Sequence, residues 1–206
     1  MDSVHALFAT YVLPGRQIPG DTTTPPSKRS TADPFHSGGK IYSLIRRVHI
    51  LHYRGRQERN LSAQTISQAV EVWNELERWD PSQDTSGPEQ IRLNNAYRSA
   101  LFIWTYFTIY PRDMHGWKPQ DAVRGVLDDV ARVEEAGLVR LAVIPLFFCG
   151  LSATREGDRE ALRREYERVR GCGGGGNGGL DASWEIVQRQ WRRHDAGDRR
   201  NWDWVG

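Results

Sequence analysis

The spacing of apolar side chains predicts that the chain becomes helical from Lys40 onward. A first stripe recurs at three- and four-residue intervals, the period of one helix face: Ile41, Leu44, Ile45, Val48, Leu51 and His52. Ser62 is a favourable N-cap for a second helix, whose predicted inward stripe is Ile66, Ala69, Val70, Trp73 and Leu76. This helix should end at Trp79-Asp80-Pro81, because the residue before a proline avoids helical backbone angles.

A third helix is predicted to begin at Pro88, since proline suits the first turn of a helix. It opens the long segment Glu89–Tyr110, whose second half, Ala100–Tyr110, is apolar and aromatic on nearly every side. A helix of that character should be buried on most of its surface. Its cluster of large rings, which includes Trp104 and Phe107, has two interpretations. Such rings usually pack in a core, but they are also typical of the lining of a ligand pocket.

The most apolar stretch of the chain is Leu141–Ala153, a run of thirteen residues. It is too short to span a bilayer, which needs about 20, so it predicts a core helix. Pro145 lies inside it. We therefore expect either a helix that starts near Ile144 with Pro145 in its first turn, or a kink at Pro145. Gly150 offers a position at which another helix can approach closely.

The remaining helices are amphipathic. After a loop over Pro111–Pro119, Gln120–Gly137 carries an inward stripe and ends at a glycine suited to a C-cap; the stripe is Val123, Val126, Leu127, Val130 and Val133. Asp158–Arg170 is strongly charged, with only Leu162, Tyr166 and Val169 inward. A final helix capped by Asp181 should direct Trp184, Val187, Gln188 and Trp191 to the core. Trp202 and Trp204 should dock back onto the helices.

These elements predict an all-α fold, an irregular bundle of about six to seven helices without β-strands. Residues 1–39 should form a disordered or loosely attached segment, because Asp21–Ser30 is polar and rich in threonine and proline and cannot offset its ordering entropy. Residues 40–206 should form one helical domain. Gly171–Gly179 (GCGGGGNGG) should be a flexible loop within it.

Composition adds little to this picture and excludes few classes of protein. The 206-residue chain carries a net charge of +2, which argues neither for nucleic acid nor for a membrane surface as a partner. Its two cysteines, Cys149 and Cys172, form no disulfide framework, as expected in a reducing compartment. The sequence shows no convincing secretory signal or spanning segment, so we expect a soluble intracellular protein.

Candidate chemical sites are weak on spacing alone. His49 and His52, with His36 upstream, lack the further thiolate or carboxylate that a metal site needs, so packed or solvated histidines are favoured. Asp128-Asp129 resembles the paired acids of class I terpene synthases, but Arg132 stands where a third acid is required. The glycine-rich segment lacks the ending of a phosphate loop, and no hydrolase or metalloprotease motif is present. We therefore predict no catalytic residue, no metal ligand and no cofactor.

A known family is recognisable in the central run. Pro145–Ala153 (PLFFCGLSA), followed by Arg159, resembles the pattern W-P-L-F-x-x-G-x-x-A of the fungal-specific transcription factor domain, with Ile144 in place of the tryptophan. Further matches are Asp33-Pro34-Phe35, Tyr97–Leu101 and Val187–Trp191, so the resemblance covers Asp33–Val205. This region lies C-terminal to the binuclear zinc cluster in fungal activators. The six cysteines of that cluster are absent, so direct DNA contact and bound zinc are not expected.

The resemblance implies a non-catalytic regulatory or interaction domain that works in the nucleus, or in cytoplasm and nucleus. It would regulate transcription by RNA polymerase II, for instance of a metabolic or secondary-metabolite pathway. Its expected partners are other proteins or the transcription machinery, a small-molecule effector, or a second copy of the chain. The alternatives are a helical enzyme, or a small-molecule-binding protein that uses the aromatic cluster around Trp104 and Phe107.

Overall fold

The computed structural model describes residues 39–58, 60–83, 87–172 and 178–198. These residues form eight α-helices and a short 3-10 turn, Pro81–Gln83, and contain no β-strand, which confirms the all-α prediction. The helices are α1 Lys40–Gln57, α2 Ala63–Arg78, α3 Pro88–Ile109, α4 Trp117–Val130, α5 Ala136–Leu141, α6 Val143–Ser152, α7 Glu156–Gly171 and α8 Gly178–Asp195. None of them has the length and apolar character that a bilayer crossing requires.

Local sequence signals fix several helix ends where they were expected. The Ser62 hydroxyl accepts a hydrogen bond of 3.2 Å from the Thr65 backbone N–H and thereby caps α2. Pro88 occupies the first turn of α3, where its missing N–H costs nothing. Helix α2 ends at Arg78, just before the Trp79-Asp80-Pro81 segment.

The core forms around α3 and α6. Helix α3 packs against α1, α2, α4 and α6, and α6 also contacts α4, α7 and α8. Every residue of α6 is buried, with Pro145 in its first turn, so the first of the two expected arrangements is correct. Cys149 is fully buried as a small apolar side chain, and burial raises the pKa of its thiol. The inward stripe of α1 is also confirmed in full.

The helix count differs from the prediction because the segment before α6 contains one more break. Helix α4 ends at Val130, so Gly137 does not cap it and instead lies inside α5. Val133 is nevertheless buried, in the turn between the two helices. Helix α4 also begins earlier than expected, at Trp117, because Pro119 fits within its first turn.

The inward faces of α2 and α8 are rotated relative to the predicted stripes. Ile66 and Val70 are 40% and 45% exposed, while Thr65 and Val72 are buried in their place. In α8, Gln190 is buried and Gln188 is only half-buried. Both helices are amphipathic, but each has two neighbouring rows of residues that could face the core. The helices packed against them determine which row is buried.

Helices α7 and α8 extend into the two ends of the segment that was predicted as a glycine-rich loop. Gly171 belongs to α7, whereas Gly178 and Gly179 belong to α8, so Asp181 lies within the first turn of α8 and does not cap it. Its carboxylate instead pairs with Arg170 at 3.0 Å. Residues 173–177, the N-terminal segment 1–38, and Trp202 with Trp204 lie outside the described residues.

Candidate functional site

The Pro145–Ala153 motif and its following arginine form a junction that joins α6, α7 and α8. Arg159 is 6% exposed, and its Nε donates to the Ala153 carbonyl at 3.2 Å. One of its terminal nitrogens donates to both carboxylate oxygens of Asp195, at 3.0 and 2.9 Å. The guanidinium lies over the Trp191 ring, and the Trp191 indole donates to the Gly150 carbonyl at 2.8 Å.

Gly150 completes this junction by its lack of a side chain. A Cβ at this position would lie 2.8 Å from Leu162 Cδ2 on α7 and from both Cγ atoms of Val187 on α8. Only glycine allows α7 and α8 to approach α6 this closely, which confirms the predicted close contact. The motif residues therefore contribute to helix packing, and their side chains are buried away from any ligand at the surface.

The aromatic cluster of α3 divides into two groups with different surroundings. Trp104 and Phe107 are 0% and 1% exposed, and the Trp104 ring stacks on Phe148 at 4.4 Å. These two residues are core, as the first interpretation predicted. Phe102 and Tyr106 project from another side of α3 toward α2, where they meet the Trp73 ring at 4.9 and 5.9 Å.

Trp73 and Phe102 line a groove of about 440 Å³ between α2, α3 and α4. Trp117, at the start of α4, forms another part of the wall and is 75% exposed. The Lys118 ammonium lies over both indoles, 4.9 Å from the Trp73 ring centre and 5.8 Å from that of Trp117. This places a cation between two aromatic faces, the arrangement of a cation–π contact.

The acidic groups that line the groove already have partners within the protein. The Trp73 indole N–H donates to Glu77 at 2.9 Å, and Asp121 pairs with Arg124 at 3.0 Å. Lys118, in contrast, forms no ion pair with any acid in the described part of the chain. Glu77 accepts its hydrogen bond from a neutral indole, so the groove carries charges of both signs, and Lys118 is its exposed cation without an ion pair among the described residues.

Exposed apolar side chains extend the groove along α2. Ile66 and Val70 precede Trp73 by seven and three residues, which places all three on one face of the helix. Tyr110, just after the end of α3, is 50% exposed, and its ring lies 5.1 Å from that of Tyr106, which in turn contacts Trp73. We name this continuous area the Trp73 surface. Its members are Ile66, Val70, Trp73, Phe102, Tyr110 and Trp117.

Two of the histidines considered for a metal site, His49 and His52, lie on α1 against Trp104, apart from this surface. His52 is buried, its Nδ1 is 3.3 Å from the Thr108 hydroxyl, and its ring contacts Trp104. Burial, followed by the charges of Arg56 and His49, lowers the pKa of His52 to about 3. The ring is therefore neutral at physiological pH and acts as a packed side chain. His36 lies outside the described residues.

Other ionisable groups do not converge on one place. Asp128, Glu134 and Glu135 are exposed, whereas Asp129 is half-buried with its carboxylate 4.0 Å from Arg92. Burial raises the pKa of Asp129. Over the described ranges, no three histidine, cysteine or acidic residues come together as a metal-binding group would require.

The comparison with protein families decides the identity of this helical domain. The sequence pattern of the fungal specific transcription factor domain matches residues 36–205. The chain belongs to this family. Neither a search of curated proteins nor a search of solved structures returned a match.

Membership of the fungal specific transcription factor domain family assigns the chain a role in transcription regulation. The motif that supported the resemblance lies within the matched residues and has a packing function in this chain. The Trp73 surface was missed from the sequence for two reasons. Ile66 and Val70 were assigned to the core, and Trp117 was assigned to a loop. The available signal was the excess of apolar residues on α2, which is more than one buried face needs.

Proposed function

We propose that this chain is a non-catalytic regulatory domain of a fungal transcription factor, which acts on transcription by RNA polymerase II through contacts with other proteins. In this proposal the Trp73 surface is the place of contact. The domain works in the nucleus, makes no direct contact with DNA, and needs no cofactor of its own.

The observation that carries the proposal is the exposure of large apolar side chains around Trp73. Six such side chains in the described residues are at least 40% exposed, and four of them, Ile66, Val70, Tyr110 and Trp117, belong to this one surface. Exposed apolar residues scattered singly are ordinary, whereas a contiguous patch marks a site of interaction. Family membership supplies the context, because a regulatory domain must transmit its state to another molecule.

A small-molecule effector is the second candidate for the same surface. The groove volume of about 440 Å³ falls within the range of ligand sites, roughly 300–1,000 Å³. An effector of a metabolic or secondary-metabolite pathway would bind between Trp73 and Trp117. It would not bind at Trp104 and Phe107, because those rings are enclosed by other core side chains.

The proposal is tested by fusing the chain to a heterologous DNA-binding domain and measuring a reporter gene in a fungal host. We expect the fusion to change reporter output relative to the DNA-binding domain alone. Trp117→Ala and Val70→Ser should remove most of this change, because both side chains are exposed and their loss should leave the core intact. Protein abundance is measured in parallel.

The matched control is Tyr53→Ser, which removes a 62% exposed ring from α1, outside the Trp73 surface. It should leave reporter output unchanged. A fusion that is stably expressed but silent with and without added effectors would contradict the regulatory assignment. Equal effects of Tyr53→Ser and Trp117→Ala would contradict the assignment of the contact to the Trp73 surface.

A further inference from the structure

We infer that the Trp73 surface binds an amphipathic helix of a partner protein, and that this helix carries a carboxylate that meets Lys118. The inference rests on the proposed function, which requires only that some protein contact occurs. It adds the shape and the charge of the partner.

The shape of the partner follows from the direction of α2 and α3. Trp73 contacts Phe102, while the methyl groups of Thr65 and Thr108 both lie within 4 Å of the position that a Cβ on Gly55 would occupy. The two helices are therefore antiparallel. Ile66 and Val70 consequently lie along the C-terminal half of α3, and the exposed side chains form an elongated strip.

The length of the strip suits a helix. From Ile66 to Glu77 there are eleven residue steps along α2, which is about 16 Å at 1.5 Å per step. Three turns of a partner helix span the same distance and present apolar anchors at positions i, i+3 or i+4, and i+7. A small ligand on so open a strip would remain largely uncovered, whereas ligand sites enclose most of their ligand.

The charge of the partner follows from the groups that line the groove. Glu77 and Asp121 are bound by Trp73 and Arg124, and Arg98 donates to the Trp79 carbonyl at 3.0 Å. Lys118 alone among the charged side chains lining the groove has neither a hydrogen bond nor an ion pair within the described residues; its ammonium lies over the two indole faces. A partner carboxylate would find an accessible cation there, beside apolar walls that strengthen the attraction.

A second copy of this chain fits the surface less well. In a two-fold contact each Trp73 surface would face an identical one, so Lys118 could pair only with Glu77 or Asp121, which the Trp73 indole and Arg124 already contact. The chain also carries a net charge of +2, which opposes self-association weakly. These arguments favour an acidic partner helix over homodimerisation.

The test uses the full chain and two fluorescein-labelled, lactam-stapled helical peptides of about fifteen residues. Both carry leucines at the same i, i+4 and i+7 positions, but one has glutamates and the other lysines at the flanking positions. Fluorescence anisotropy should show saturable binding that is at least about tenfold tighter for the acidic peptide. That preference should decrease as salt rises, since screening weakens the Lys118 contact.

Peptide affinities of three variants test whether Trp117 and Lys118 make the proposed contacts. Trp117→Ala should weaken binding of the acidic peptide by at least about tenfold, as expected when an aromatic anchor is removed from an interface. Lys118→Glu should reverse the preference between the two peptides, a result that general loss of structure cannot produce. Tyr53→Ser should leave both affinities unchanged, because Tyr53 lies on α1 and is outside the Trp73 surface.

Equal binding of the two peptides, no binding of either, or insensitivity to Trp117→Ala would overturn the inference. A concentration-dependent dimer that Trp117→Ala abolishes, detected by light scattering, would assign the surface to a second copy and also overturn it. Failure here is separable from failure of the proposed function. A reporter effect that depends on Trp117 while neither peptide binds would leave a protein contact of other chemistry in place.

Discussion

Adding one methyl group at Gly150 tests the packing of the family motif most directly. In Gly150→Ala the new Cβ would lie 2.8 Å from Leu162 Cδ2 and from both Cγ atoms of Val187. Non-bonded carbon atoms prefer about 3.5–4.0 Å. Leu162 and Val187 are themselves 0% exposed, so neither can move aside into solvent.

Two opposing contributions set the expected size of the effect. Replacing a helical glycine by alanine stabilises a helix by about 1 kcal/mol through lower backbone entropy. Overpacking a core by one methyl group costs about 1–3 kcal/mol. Because the clash involves three atoms held by two different helices, we expect the upper part of that range and a net destabilisation of about 1–2 kcal/mol.

The assay is urea unfolding followed by circular dichroism, with the free energy of unfolding obtained by linear extrapolation. Gly157→Ala on α7 is the matched control, since a Cβ there would meet no other atom within 4 Å. It should be neutral or stabilising by up to about 1 kcal/mol. The double variant Gly150→Ala with Val187→Ala should show a favourable coupling of about 1 kcal/mol, because the two changes compensate in volume.

If Gly150→Ala were as stable as the unaltered chain, or more stable, the close approach of α6, α7 and α8 would be wrong. The motif glycine would then need a different explanation, such as a conformational role. A coupling near zero in the double variant would locate the clash elsewhere and would refute the part assigned to Val187.

Three further predictions concern buried groups. In the unaltered chain the pKa of His52 is about 3 when folded, below the usual 6.5, so the unfolded state binds one more proton between these values. The free energy of unfolding should therefore fall by up to about 1.4 kcal/mol per pH unit as the pH decreases from 6.5 toward 3. His52→Gln removes this titrating group and should make the pH dependence of stability less steep. An unchanged slope in urea titrations at several pH values would contradict this. Arg159→Lys should cost about 2 kcal/mol in the same assay, because lysine cannot reproduce the forked contacts with the Ala153 carbonyl and Asp195; full retention of stability would refute that role. A thiol reagent should modify half-buried Cys172 in the folded chain, and Cys149 only after unfolding, since its thiolate form is disfavoured by burial; two fast-reacting thiols would show that α6 is accessible.

The sequence by itself determined most of the helical segments and where several of them end. Ser62 and Pro88 act through backbone groups within one turn, so their effect does not depend on the rest of the fold. The apolar run around Pro145 also predicts a buried helix without information from the rest of the chain. A helix without a polar face can only be buried, whatever surrounds it. The family motif likewise identified the regulatory class of the protein from residues close together in the chain.

The tertiary structure alone decided which face of each amphipathic helix is buried. Periodicity places Ile66, Val70 and Trp73 on one side of α2, but α1 and α3 cover the neighbouring row instead. Packing between distant segments also explains why Arg159 is buried although it lies on a strongly charged helix. Its partner Asp195 is thirty-six residues away in the chain. Burial depends on which helices meet, and that is a property of long-range packing. The Trp73 surface consists of the apolar area that this packing leaves uncovered, so the excess of apolar residues on α2 could indicate an exposed patch but not which residues form it.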